Sequence, residues 1–83
     1  MNAQERLGRK IRELRKQRNL SQTELAEKAG ISFITISRIE RGERDPHVKT
    51  LARIAKGLGV PAFELLRSAR YFEDEDDDTA AEG

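Results

Sequence analysis

Between Ser21 and Glu40 the chain writes two helical patterns back to back with almost nothing between them. Ser21-Gln22-Thr23-Glu24 is a capping box, in which the serine hydroxyl accepts from the backbone N–H three residues on and the glutamate reaches back to the serine N–H. Leu25, Ala26 and Ala29 then fall on one face, and Gly30 ends the pattern because glycine takes positive φ at little cost. Ser32 is the next N-cap, and Ile36 and Ile39 form the following inward stripe. A Gly30-Ile31 link is too short for the two helices to lie antiparallel, so they must cross steeply. Ala26 and Gly30 are small where the backbones would approach, and Ile36 and Ile39 lock the second helix onto the first.

Helical periodicity extends over most of the chain. Leu7, Ile11 and Leu14 repeat at i, i+4, i+7 and predict a first helix from about Gln4 to Arg18, ended with the help of Asn19. After the Gly42 stop, Glu43-Arg44-Asp45-Pro46 reads as a turn, with Asp45 a cap and Pro46 in the first turn of a fourth helix. That helix places Val48, Leu51, Ile54, Ala55 and Leu58 inward, and Gly59 ends it. Gly57 sits in its last turn at a cost of about 1 kcal/mol against alanine. Val60 and Pro61 open a fifth helix, with Phe63, Leu65 and Leu66 apolar, to about Arg70. Nothing reads as a strand. The expected fold class is all-α: a compact five-helix bundle over residues 1–70, followed by an acidic, disordered tail over 71–83.

The charge is divided just as sharply. The formal net charge of +1 hides a body and a tail of opposite sign. Residues 1–72 hold all 16 basic residues against 8 acidic ones, a balance of +8, whereas 73–83 hold 7 acids and no base. A basic body points to nucleic acid. The absence of cysteine excludes disulfides, thiolate metal sites and a cysteine nucleophile. A single histidine, His47, provides neither a His-paired nucleophile nor a cluster of metal ligands, so it reads as a surface or capping residue. An enzyme is therefore not expected, nor a cofactor or bound metal. No apolar run approaches a membrane span, and MNAQERLGRK lacks the apolar stretch of a signal peptide, which together point to the cytoplasm.

The paired helices have the spacing A-x3-G-x5-I-x2-I of a helix-turn-helix, which offers its second helix to the ~12 Å major groove of DNA. SQTELAEKAGISFITISRIERGERDP, followed by LARIAKGLGVPAFELL, resembles the Cro/CI-type (Xre-like) helix-turn-helix domain of phage repressors and bacterial regulators, a lambda-repressor-like fold. The likeness covers roughly residues 4–67. It implies DNA binding, usually as a homodimer on a two-fold operator. Carried over position by position, it implies base readout by Ser32, Phe33, Ile34, Thr35 and Arg38. It implies phosphate contacts from Gln22, Thr23, Ser37, Arg41 and Arg44, and an interior ion pair between Arg15 and Glu40. Arg41 and Arg44 have a competing reading as surface partners of neighbouring glutamates, pairs worth little. Phe33 and Ile34 are apolar where the phage proteins often place amides, which directs them to thymine methyls rather than adenine edges. Phe33 also lies at the edge of the buried face. From the first helix, Arg9 or Lys10 are candidates to approach the DNA backbone.

Phe63, Leu66, Tyr71 and Phe72 are more apolar surface than so small a body can easily bury, and are the expected homodimer interface; the bland alternative is that they complete the monomer core. The tail has three readings: a solubilising extension, a brake folded back on the basic groove, or a site for a protein partner. The function expected is that of a dimeric, sequence-specific DNA-binding transcriptional regulator, a repressor. The alternative is an antitoxin-type or polymerase-contacting interaction module that also binds DNA.

Overall fold

The computed structural model describes residues 1–73. The expected disorder of the tail falls almost wholly on residues 74–83, outside the described residues. Five helices follow one another: α1 (Ala3–Gln17), α2 (Gln22–Ala29), α3 (Phe33–Glu40), α4 (Val48–Leu58) and α5 (Ala62–Ser68). Among the described residues there is no strand, and no helix is long and apolar enough to cross a membrane.

Local chemistry sets most of the helix ends. Ser21 and Glu24 form the reciprocal capping box at the start of α2, with bonds of 3.0 and 2.8 Å. A second box, between Asn2 and Glu5, opens α1 one residue earlier than apolar spacing alone predicts. Its N-x-x-E signal precedes Leu7, the first residue of the apolar stripe. Gly30 takes φ of +69° at the end of α2, and Asn19 takes +57° after α1. The start of α4 departs from expectation. Asp45 does not cap it, because the helix begins at Val48 with His47 at the N-cap, where no side chain bonds the free N–H groups. Pro46 therefore precedes the helix. Val48 is also not inward: it is 82% exposed, since it opens the helix above the layer sealed by Leu51, Ile54, Ala55 and Leu58.

The core is almost purely aliphatic. Leu7 and Ile11 of α1, Leu25 of α2, Ile36 and Ile39 of α3, Ile54 of α4 and Leu65 of α5 are all essentially inaccessible to solvent. α2 packs chiefly on α4 and α1 chiefly on α3. Two glycines permit this. A Cβ on Gly8 would stand 2.2 Å from the Ile39 carbonyl oxygen, so only glycine lets α1 lie on the end of α3. A Cβ on Gly57 would meet Leu25 Cδ1 at 3.1 Å. The residue that looks costly for α4 alone is thus where α2 presses against it.

Arg6 gathers the two ends of the body. Its guanidinium donates to the carbonyls of Met1 (2.7 Å), Arg70 (2.9 Å) and Glu73 (2.5 Å). It also donates to Ala69 at the close of α5, at 3.3 Å. Tyr71, one residue past the expected boundary at Arg70, packs on the core and its phenol donates to Asp45.

Candidate nucleic-acid interface

The α2 capping box brings the N-terminus of α2 to the surface, and α3 follows it after three residues. Between them and α1 lies an open groove whose lining includes Arg12, Gln22, Thr23, Phe33, Ser37 and Arg41. Five of the ten residues expected to touch DNA therefore share one concavity.

Its floor is an ion pair. Arg15 Nε donates to Glu40 Oε2 at 2.7 Å, and Nη2 donates to Oε1 at 3.0 Å. Both side chains are buried. The third donor, Nη1, reaches the Leu20 carbonyl at 2.8 Å, which ties the end of α1 to the loop before α2. Hydrogen bonding to Glu40 raises the Arg15 pKa further, so the guanidinium stays charged despite its burial. Gln22 Nε2 also donates to Glu40 Oε1, at 3.0 Å. The amide carries a second N–H, so Gln22 holds the carboxylate while keeping one donor for an anion outside. Sequence reasoning placed Gln22 at the surface but gave no sign of this inward bond, which spans 18 residues.

The start of α3 is built for exposure. Ser32 Oγ accepts from the Thr35 N–H at 3.1 Å and shares a 2.8 Å bond with Thr35 Oγ1, so both hydroxyls are engaged in capping. Phe33 and Ile34 are 48% and 57% exposed, an unusual state for large apolar residues side by side. One turn later Arg38 is exposed with no hydrogen bond or ion pair among the described residues. The opposite face of the same helix buries Ile36 and Ile39.

The remaining expected contacts differ in their freedom. Ser37 is buried and its hydroxyl accepts from Arg41 Nη1 at 2.5 Å. Arg41 also pairs with Glu43 at 2.7 Å, which lowers the Glu43 pKa and raises that of Arg41. Arg44 is exposed and unpaired among the described residues. On α1 it is Arg12 that borders this groove. Arg9 and Lys10 instead line a separate groove against the end of α5. The position of Arg12, three residues before Arg15, was the available signal, because i and i+3 are neighbours on a helix.

The four residues expected at a dimer interface lie at the α5 end. Phe63 and Phe72 are 68% and 81% exposed. Leu66 and Tyr71 are half-buried against the core. Phe63, Leu66 and Phe72 line a third, mainly apolar groove between Arg67 and Arg70.

Known proteins share this fold. A family model described as helix-turn-helix matches residues 11–65. The chain is 38% identical over 71 residues to the HTH-type transcriptional repressor RghR of Bacillus subtilis, an overlap of 84% of this chain and 53% of that protein. It spans less than two thirds of the length of each of the curated relatives compared. Among solved structures it is similar to the restriction-modification controller protein C.AhdI of Aeromonas hydrophila, with a TM-score of 0.71 and 31% identity, covering 74% of this chain and 92% of that one. It is also similar to the controller protein C.Esp1396I, solved as a tetramer in complex with its natural 35 base-pair operator, with a TM-score of 0.73 and 30% identity over 83% of this chain and 95% of that one. Five helices, the exposed face of α3 and these likenesses lead to one conclusion: the chain belongs to the Cro/CI-type (Xre-like) helix-turn-helix family of transcriptional regulators.

Proposed function

We propose that this protein binds DNA sequence-specifically as a homodimer on a two-fold operator and represses transcription. The observation that carries the reading is the first turns of α3, where Phe33, Ile34 and Arg38 are exposed beside the N-terminus of α2. A helix N-terminus and a spare amide donor at Gln22 suit a phosphate oxygen. Arg38 suits a guanine edge, and Ile34 a thymine methyl, so the favoured operator contains thymine where an amide-bearing relative would select adenine. Arg12, Thr23, Arg41 and Arg44 supply phosphate contacts whose counterion release makes affinity fall with salt. For Arg41 this requires exchange of its exposed pair with Glu43, an inexpensive step. Ser37 acts through Arg41 by fixing its guanidinium.

The apolar groove at Phe63, Leu66 and Phe72 supports pairing of two copies, which would set two α3 helices in successive major grooves about 34 Å apart. The repressor role rests on RghR, and operator binding on the complex of C.Esp1396I. Selection of bound sequences from a random duplex pool, at low and moderate salt, tests the reading. The expected product is a thymine-containing inverted repeat whose enrichment survives moderate salt. A selected pool without a repeated half-site refutes the two-fold mode, and a pool without enrichment refutes sequence-specific binding.

A further inference from the structure

We propose that Ile34 makes this protein a reader of the pyrimidine methyl group, so that 5-methylcytosine paired with guanine serves in its operator in place of thymine paired with adenine, whereas unmethylated cytosine does not. The inference rests on the DNA binding proposed above and names the base chemistry that α3 selects.

The first observation is where Ile34 stands. α3 turns Ile36 and Ile39 into the core, where both are essentially inaccessible. Ile34 lies roughly 170° around the helix from the mean direction of that pair. It is more than half exposed. Phe33 is turned to the side, where it lines the groove with Thr23 and Ser37. Ile34 is thus the outermost apolar group of α3. An exposed isoleucine on its own is ordinary, but this one stands among cations. Arg38 follows one turn later on the same side, and Arg12 and Arg41 line the adjoining groove. The surroundings suit a polyanion that carries an apolar group on its surface. In the major groove that group is the methyl on C5 of thymine.

The second observation is what the first turn of α3 lacks. From Ser32 to Thr35 there is no amide, carboxylate or guanidinium. The polar side chains are two hydroxyls, which share a 2.8 Å bond with each other. Thymine presents an acceptor, O4, where cytosine presents a donor, the N4 amino group. A hydroxyl adapts to either by rotating its proton, and isoleucine responds to neither. This turn therefore separates pyrimidines by their methyl group rather than by their hydrogen-bonding edge. 5-Methylcytosine carries the same methyl on the same ring carbon, so it is equivalent to thymine for Ile34. Methylation of cytosine becomes a signal that the protein registers.

Arg38 supplies the neighbouring contact. A guanidinium pairs with O6 and N7 of guanine. Arg38 stands roughly 6 Å further along the helix than Ile34, within two base-pair steps of about 3.4 Å each. The favoured half-site holds a methyl-bearing pyrimidine with a guanine one or two base pairs away. Methylated cytosine–guanine sequences meet that description and unmethylated ones do not.

The test uses the full chain and three random duplex pools: one of natural bases, one with deoxyuridine in place of thymine, and one with 5-methylcytosine in place of cytosine. The operator selected from the natural pool is then remade with uracil, cytosine or 5-methylcytosine at each half-site thymine in turn. Burial of one methyl is worth about fourfold in affinity, so uracil in both half-sites should weaken binding about fifteenfold. Cytosine should be at least as weak as uracil, and 5-methylcytosine should match thymine. Ile34→Ala should bind the thymine and uracil operators alike, with an unchanged helical circular dichroism spectrum, and Ile34→Val should keep part of the difference. Uracil that binds as well as thymine at every position overturns the inference. So does 5-methylcytosine that binds as weakly as cytosine, since thymine O4 is then required. A methyl preference that persists in Ile34→Ala overturns the assignment to Ile34. Enrichment that is blind to the methyl group sinks this inference alone, whereas no enrichment in any pool sinks sequence-specific binding and the inference with it.

Discussion

Arg15 and Glu40, 25 residues apart, meet in the interior through two hydrogen bonds of 2.7 and 3.0 Å, and Gln22 donates to the same carboxylate. The three residues join α1, α2 and α3 directly beneath the candidate DNA surface. Removing one charge of a buried pair leaves the other unpaired, so Glu40→Ala should cost about 3–5 kcal/mol. Much of the stability of so small a domain would go with it. Replacing both residues with apolar side chains should be milder than either single change. Urea unfolding of the two single variants and the double variant measures this. A double variant as unstable as the sum of the singles would deny the coupling.

Gly8 and Gly30 separate two uses of glycine. A Cβ at Gly8 would collide with backbone carbonyls at 2.2 and 2.9 Å, and these cannot swing aside. Gly8→Ala should therefore destabilise by about 1–3 kcal/mol through overpacking, even though alanine favours the helix. At Gly30 no atom lies within 4 Å, but φ is +69°. Gly30→Ala should cost about 1–2 kcal/mol through backbone strain alone. Gly30→Asn, which tolerates the left-handed region, should recover part of that loss, whereas Gly8→Asn should be worse than Gly8→Ala. Equal recovery at both sites in thermal unfolding would sink the distinction.

The single tyrosine reports on the contact between the end of the body and the turn before α4. The hydrogen bond to Asp45, together with partial burial and the carboxylate charge, pushes the Tyr71 pKa up to about 12. Between pH 10 and 12 the unfolded chain releases this proton and the folded protein keeps it. The contribution is thus complete below pH 10 and is lost as pH rises through 12. With one tyrosine and no tryptophan, phenolate absorbance follows it directly. Asp45→Ala should return the midpoint towards 10; an unchanged midpoint would show that Asp45 is not the cause.

Ile34→Ala and Arg38→Ala should weaken operator binding by about 1–3 kcal/mol each, the worth of a base contact, and relax preference at the contacted base pairs. Both side chains point away from the core, so the melting temperature should hardly move. Thr23→Ala should weaken binding evenly across sequences instead. Competition binding against operator variants distinguishes the two patterns, and uniform loss for Ile34→Ala would contradict its role in readout.

Phe63→Ser together with Leu66→Gln should abolish the pairing of copies proposed above and leave monomers in sedimentation. Phe63 is largely exposed, so most of the effect should fall on association. Leu66 packs on the core, so Phe63→Ser alone controls for lost folding stability. Dimers that persist in both variants would place the interface elsewhere.

What the sequence determined by itself is what neighbouring residues settle between them. Ser21 with Glu24, Ser32 before α3, and Gly30, Gly42 and Gly59 after their helices act over three or four residues, so helix number, order and most ends were legible. The inward stripes were legible for the same reason, as was the charge divided between body and tail. The exposure of Ile34 also followed from helical phase once Ile36 and Ile39 were fixed inward, whereas phase put Phe33 only at the edge of the buried face. Where periodicity was carried one step too far, at Val48, it failed, because a helix end can extend past the layer it packs against. Tertiary structure decided the rest, since those contacts join residues far apart in the chain. It gave Gln22 an inward bond to Glu40, made Gly8 the point where α1 touches α3, and turned Asp45 from a cap into the partner of Tyr71. It also used Arg6 to bring residue 73 against α1.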